Sequence, residues 1–258
     1  MKKIAFLVVA VGILFASLAL SSFAEDAALK VVAQNGKAFA QIYPSREWTE
    51  LTIGQVVHSK DIVRTDICDT HSKETAPKFT DAEGRVCPAC GVITLELPDK
   101  STIALKPDTE ISIDELVMDS AARKAKINMS KGALRMIIAK VNTPSDFSVK
   151  TPNAIYGATG TVFYVKSSKS GSSIYVAEGS IDAVNPADGK VYTIVAGMMM
   201  TFNADGTVVG PVPVSGIDIS DWTSCYVEPG AEPYMPPFVN RHNVIPPGQT
   251  RERPVSGG

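Results

Sequence analysis

Four residues of this 258-residue chain have the types and spacing for metal chemistry. Cys68-Asp-Thr-His71 and Cys87-Pro-Ala-Cys90 form a C-x2-H pair and a C-x2-C pair with fifteen residues between them. Two-residue spacing lets both members of a pair face one ion, and three thiolates with one imidazole make a tetrahedral zinc shell. Gly91, directly after Cys90, frees the backbone to turn toward the sulfurs. Four protein ligands close the shell, so zinc here would be structural and would leave no position for a substrate. The same cysteines support two other readings. Four is an even number, and with Cys225 they allow two disulfides in three pairings, as expected of an oxidising compartment. Cys87 and Cys90 could also act as a redox pair. A thioredoxin-like pair, however, sits at a helix N-terminus in a βαβ setting, and nothing around Cys87 reads that way. Covalent haem attachment requires His after the second cysteine, where Gly91 stands.

The elements that position these residues read as strands. Phe147 to Val184 is a succession of short apolar runs, rich in β-branched and aromatic residues and cut by Thr151-Pro152, Gly157-Ala-Thr-Gly160 and Glu178-Gly179. No window there has a helical period. Ile93, Leu95, Leu97, Ile103, Leu105, Ile111 and Ile113 keep one parity with polar residues between them, the pattern of a half-buried strand. Leu29–Ala33, Asn35-Gly36 and Ala38–Ile42 predict a hairpin, because Asn-Gly suits a type I′ turn. The runs on either side of Gly132 and Gly179 predict strand, glycine corner, strand, and Pro98–Ser101 a third such corner. Short strands joined at corners predict a stacked β-solenoid, with a sandwich as the other all-β solution. Residues 66–91 break the alternation and read as a Cys/His-rich insertion between strands. Beyond Cys225 the chain is proline-rich and poor in apolar residues, so it predicts a surface-draped tail, with Trp222, Tyr226 and Tyr234 covering the end of the solenoid.

Other candidate motifs reduce to structure. Gly157–Thr161 lacks the Gly-Lys-Ser/Thr ending of a phosphate loop and reads as a turn. Met198-Met199-Met200 reads as strand and core filling. His58 and His242 have no adjacent partners, and no nucleophile elbow is present.

Met1-Lys2-Lys3, the apolar run Ile4–Leu20 and Ser22-Phe-Ala24 have the layout of a secretory signal, which places cleavage after residue 24. The expected divisions are 1–24 signal peptide, 25–210 β domain with the insertion at 66–91, and 211–258 tail. The formal charge is -2; cleavage removes Lys2 and Lys3 and no acid, leaving about -4. A mildly acidic chain carries no electrostatic footprint for nucleic acid. No second long apolar run exists, so no stable membrane span is expected after cleavage. The expected location is periplasmic or secreted.

The ordered motifs resemble the FecR domain family, the periplasmic part of iron-dicitrate-type sensors. The resemblance runs from about residue 30 to 200. It is carried by Gly36, Trp48, Gly54 and Asp61-Ile-Val-Arg64-Thr65; by Leu95, Leu97, Asp99, Ser101, Ile103, Leu105, Pro107, Thr109 and Ile111; by Gly132-Ala-Leu134; by Phe147-x-Val149-x-Thr151-Pro152-x-Ala154; by Gly160-Thr161-x-Phe163-x-Val165; and by Glu178-Gly179-x-Ile181. Thr159 stands where the family has arginine, Lys60 where it often has glycine, and the insertion is extra to the pattern. The family's cytoplasmic anti-sigma segment and membrane helix have no counterpart here. The resemblance implies a single all-β, solenoid-like extracytoplasmic domain. The expected function is noncatalytic: a cell-envelope binding or scaffold module with an unidentified protein or envelope partner, decorated by a structural zinc knuckle at Cys68, His71, Cys87 and Cys90. The alternatives are a signalling component working through a separate membrane partner, and a Cys-x-x-Cys redox protein.

Overall fold

The computed structural model describes residues 27–68, 78–88, 90–217 and 219–230. In chain order the strands are β1 (Leu29–Asn35), β2 (Ala38–Ile42), β3 (Glu47–Glu50), β4 (Val56–Val57), β5 (Ile62–Thr65), β6 (Lys78–Thr80), β7 (Val86–Pro88), β8 (Val92–Glu96), β9 (Thr102–Leu105) and β10 (Glu110–Met118). They continue with β11 (Arg123–Ile137), β12 (Ser145–Lys150), β13 (Ile155–Ala158), β14 (Val162–Ser168), β15 (Gly171–Glu178), β16 (Ser180–Val184), β17 (Val191–Val195), β18 (Met198–Asn203) and β19 (Val208–Pro213). A single helical turn, α1 (Ser220–Thr223), follows.

Strand pairing sorts all but β6 and β7 into two ladders that share β11. Sheet I runs β4-β1-β8-β9-β11-β14-β15-β18-β19. Sheet II runs β3-β2-β5-β10-β11-β12-β13-β16-β17. From β8 onward the hairpins β8–β9, β14–β15 and β18–β19 lie in sheet I and β10–β11, β12–β13 and β16–β17 in sheet II, with β11 itself crossing from sheet II into sheet I. Both ladders therefore grow in the same direction and enclose one core. The all-β expectation holds. The solenoid expectation meets a different pairing: a β-helix stacks parallel coils, whereas here every pair is antiparallel except β11 with β12. The reason is the hairpin turns, which fold each strand back on its predecessor before the chain crosses over.

The core is built from the single parity of apolar residues. Ile93, Leu95, Leu97, Ile103 and Leu105 point inward from sheet I, and Ile111, Ile113, Phe147, Val149 and Tyr156 meet them from sheet II. Each fully buried large side chain contributes about 2 kcal/mol. β11 can serve both sheets because it turns the corner at Gly132, whose φ is +105° and which packs against Thr109 too closely for a Cβ. Gly179 makes the same crossing between β15 and β16.

Two local expectations change. Asn35-Gly36 does not close a hairpin: β1 pairs with β4 and β8, and β2 pairs with β3 and β5. The turn is real, with Gly36 at φ +75°, but it sends the two runs into opposite sheets so that both can face one core. Pro98–Ser101 is the reverse case, a hairpin turn within sheet I between β8 and β9.

The signal-peptide expectation falls on residues 1–24, outside the described residues, as do Tyr234 and His242. The division at residue 210 cuts through β19, which extends to Pro213. Among the described residues, no helix is long and apolar enough to cross a membrane.

Candidate functional site

β8 and β9 bury side chains on both faces, which requires a second layer outside sheet I. Two excursions supply it. The β6–β7 hairpin from the insertion lays Phe79 and Cys87 against Ala33 and Val92. The segment after β19 lays Ile219, Trp222 and Tyr226 over Ala104, Tyr164 and Tyr175. Tyr164 and Tyr175 stack at 5.6 Å, and Tyr226 tilts onto Tyr164 at 5.8 Å. Val227 bridges to the hairpin's cluster, and Thr94 donates a short hydrogen bond to its carbonyl. Trp222 and Tyr226 thus cover the face of sheet I, where the sequence predicted an end cap, and the chain beyond Cys225 remains packed through Val227.

A disulfide between Cys87 and Cys225, with Cα atoms 5.4 Å apart, staples the two excursions into one clasp. Asp81 organises the junction. Its Oδ2 accepts from the Cys225 N–H at 2.9 Å and from Arg85 Nε at 2.8 Å, while Oδ1 accepts from the Arg85 N–H. Burial alone would raise this carboxyl, but the hydrogen bonds and the Arg85 charge hold it below the usual carboxylate value. Arg85 also donates to the Thr223 carbonyl at 3.0 Å. Further along, Arg135 Nη2 lies 2.6 Å from Glu228 Oε1, an ion pair off the hydrogen-bond axis. The Arg135 guanidinium sits 5.0 Å from the Tyr226 ring centroid. Burial pushes the Tyr226 hydroxyl above its ordinary pKa, so it stays neutral.

Of the residues expected to hold zinc, Cys68, His71, Cys87 and Cys90, the structure places the three cysteines in disulfides. Cys68 pairs with Cys90, Cα to Cα 5.1 Å, and Cys87 pairs with Cys225, which lies outside the expected set. Oxidised sulfur offers no thiolate to an ion. His71 falls outside the described residues. Among the described residues, one cluster of donor atoms does converge, at Asp81, Cys87 and Cys225. There the two sulfurs are bonded to each other and the carboxylate is held by Arg85 and the Cys225 N–H. Cys87 and Cys90, the expected redox pair, are bonded to other cysteines, and Cys87 is fully buried on a strand.

Beside the clasp lies a groove of about 1030 Å³. Lys106, Lys131, Lys166 and Lys169 line it, together with Asp108, Asp221 and a row of hydroxyls that includes Ser173 and Thr201. Lys131 pairs with Asp108 and Lys166 with Asp221. Lys106 Nζ donates to the Asp221 carbonyl at 2.5 Å. Burial lowers the Lys106 ammonium to about 8; Asp221 opposes that shift, and Lys166 adds to it. In a chain of net charge -2, this is a local excess of cations. Ser173 and Thr201 hydrogen-bond each other at 2.8 Å.

The sequence motifs that resemble FecR domains turn out to be framework. Asp61 accepts from the Tyr43 and His58 N–H groups, closing the loop before β5. Arg64 stacks 3.9 Å from the Trp48 ring centroid. Thr65 Oγ1 accepts from the Thr109 N–H and donates to the Lys106 carbonyl, locking β5 to the turn before β10. Asp99 receives a buried Arg123, which also reaches Ser101, Ser145 and the Ala139 carbonyl.

The frame and its stapled outer layer define an all-β class of domain. Within it, residues 89–182 match the family model described as FecR protein. The match spans β8 to the middle of β16; the motif residues from Gly36 to Thr65 lie before it. No curated protein matches the chain. Two solved structures described as “a putative anti-sigma factor” from Parabacteroides distasonis ATCC 8503 are similar at 19% identity, each with a TM-score of 0.38. One match covers 45% of this chain and 53% of that one, the other 46% and 54%. The chain therefore spans about half the length of those structures.

Proposed function

We propose that the protein is a noncatalytic regulatory module that works outside the cytoplasm, receiving a protein partner and acting through a separate membrane component. The observation that carries this reading is the FecR domain at residues 89–182, with a cationic, hydroxyl-lined groove opening beside its stapled face. FecR domains are periplasmic sensors, and two disulfides suit an oxidising compartment. The groove favours an acidic segment of the partner, because its lysines exceed its carboxylates and complementary charge steers encounter.

The test is photocrosslinking in the native cells. A photoreactive residue at Ser168, in the groove, is compared with one at Thr49 on β3. The expected result is one discrete crosslinked protein from Ser168 alone, lost when Lys131 and Lys169 are both changed to Glu. Deleting the gene should then alter transcription of a defined gene set. Crosslinking that persists in the Lys131→Glu/Lys169→Glu variant would remove the groove from the reading. An unchanged transcript profile beside a discrete crosslink would favour a scaffold.

A further inference from the structure

Among the described residues the two sheets leave four edges, and three of these are blunted. β4 is two residues long. β3 carries Glu47 and Glu50. β19 carries Pro211 and Pro213. Short length, charge and proline are the devices that stop an edge from recruiting another strand. β17 has none of them. Its sequence is Val191-Tyr-Thr-Ile-Val195, without charge, proline or glycine. Val191 is 61% exposed and Val195 48%.

The free side of this strand follows from its bonded side. Among the described residues β17 pairs with β16 alone, in a register that sets Ile194 against Ile181 and Tyr192 against Ala183. The Asn185 N–H donates to the Lys190 carbonyl and the Ala196 N–H to the Gly179 carbonyl. These two bonds fix the alternation: Tyr192 and Ile194 bond inward to β16, so the N–H and C=O groups of Val191, Thr193 and Val195 point to the open side. The same three residues direct their side chains to the solvent face, while Ile194 goes to the core.

We propose that β17 is the contact of a two-fold dimer, formed by antiparallel pairing with β17 of a second copy about Thr193. The argument for a second copy is the strand's own symmetry. About Thr193 the outward set is Val, Thr, Val, so a two-fold axis there sets Val191 against Val195 of the other copy in both directions, and Thr193 against itself. A two-fold interface has to be self-complementary in this way. Each of the three facing pairs exchanges two main-chain bonds, about six in all. The valines form apolar cross-strand pairs on the face they now expose. The pairing would make sheet II continuous across the dimer. It rests on the edge and its register, not on the groove or the proposed function.

The experiment is sedimentation velocity of the full chain recovered from its own cells, over a hundredfold concentration range. The expected result is a monomer–dimer equilibrium for the wild type. Lysine at both Val191 and Val195 puts like charges opposite each other and should yield monomers with an unchanged circular-dichroism spectrum. Glutamate at both positions should do the same. Mixing the two variants should restore a dimer, which only this facing register predicts. A wild-type monomer throughout would overturn the proposal, as would a dimer that persists in the lysine variant. Hydrogen exchange supplies the remaining distinction. Slow exchange at Val191, Thr193 and Val195 in a monomer would mean that the chain's own residues 231–258 fill the edge, and would also overturn the proposal.

Discussion

Removing the Cys87–Cys225 bond should separate the clasp from the sandwich without unfolding the sandwich itself. The bond links residues 138 apart. On the chain-entropy relation, closing a loop of that size in the unfolded state contributes about 5 kcal/mol, and measured disulfides commonly deliver 2–4 kcal/mol. At about 2–4 °C per kcal/mol for a domain of this length, the Cys87→Ser/Cys225→Ser variant should melt about 10 °C lower. The local effect is more specific. Trp222, Tyr226 and Val227 are the principal apolar anchors of the C-terminal arm, roughly 6 kcal/mol together. Ordering about twelve residues costs roughly 12 kcal/mol or more. The staple and a few polar contacts have to supply the difference, so the arm should leave sheet I when the bond is lost. The assay is tryptophan emission with far-ultraviolet circular dichroism. Trp48 is partly exposed in any case, so a red shift reports Trp222. The expected variant has a native β spectrum, red-shifted emission and faster hydrogen exchange in β14 and β15. The Cys68→Ser/Cys90→Ser variant is the control: its 22-residue loop is worth about 3 kcal/mol on the same relation, and its Trp222 emission should not move. The wild-type intact mass should lie about 4 Da below that of the reduced chain, with no metal, since each disulfide removes two hydrogens. Buried-type Trp222 emission and a melting point within about 2 °C of wild type would refute the reasoning. Zinc retained by free thiols would refute its premise.

Two further perturbations test the frame and the groove. Arg123 is 4% exposed and depends on Asp99, so Asp99→Asn should cost about 3 kcal/mol in denaturant unfolding by leaving a buried charge underpaired; adding Arg123→Met should recover part of it, because no charge is then stranded. Lys106 titrates near 8 when folded and near 10.4 when unfolded, so between those values the unfolded chain binds more protons and stability rises with pH. Lys106→Met should therefore stabilise the protein at pH 7, by about 1 kcal/mol after allowing for partial exposure, and the gain should fade toward pH 10.5. A gain that grows with pH would reverse the assigned cause.

Much of the frame was legible because it is local. The alternation from Ile93 to Ile113 reports burial directly, and Gly132 and Gly179 are corners because their backbone conformation excludes other residues. Partner choice was not legible. Asn35-Gly36 advertises a turn, but only the shared core decides that β1 and β2 go to different sheets. The spacing of Cys68, His71, Cys87 and Cys90 satisfies a zinc shell on paper. It cannot show that Cys225 comes back across sheet I to reach Cys87. One signal was available: Trp222 and Tyr226 flank Cys225, and an apolar segment next to a cysteine in a polar tail is a candidate for docking. Ala104, Val92 and Thr94 carried the complementary signal, since they make β8 and β9 apolar or uncharged on both faces.

The clasp and the groove are not independent. Lys106 donates to the Asp221 carbonyl, and Lys166 pairs with the Asp221 side chain and lies 4.3 Å from the Trp222 ring centroid. Two of the groove's cations, Lys106 and Lys166, therefore also hold α1 against sheet I. A carboxylate entering the groove competes with Asp221 for the same ammonium groups, so binding and clasp attachment oppose each other there by linkage. Lys131 pairs with Asp108, so the crosslinking test changes Lys131 and Lys169 and leaves the Asp221 partners Lys106 and Lys166 in place. The Cys87–Cys225 bond sets the limit of this competition. With the bond intact, loss of the Asp221 contacts loosens the helical turn but keeps Cys225 tethered at the hairpin. With it broken, the same loss frees the whole arm. Partner affinity should accordingly rise in the Cys87→Ser/Cys225→Ser variant, because Asp221 no longer competes, and a titration in which affinity is unchanged would uncouple the two features.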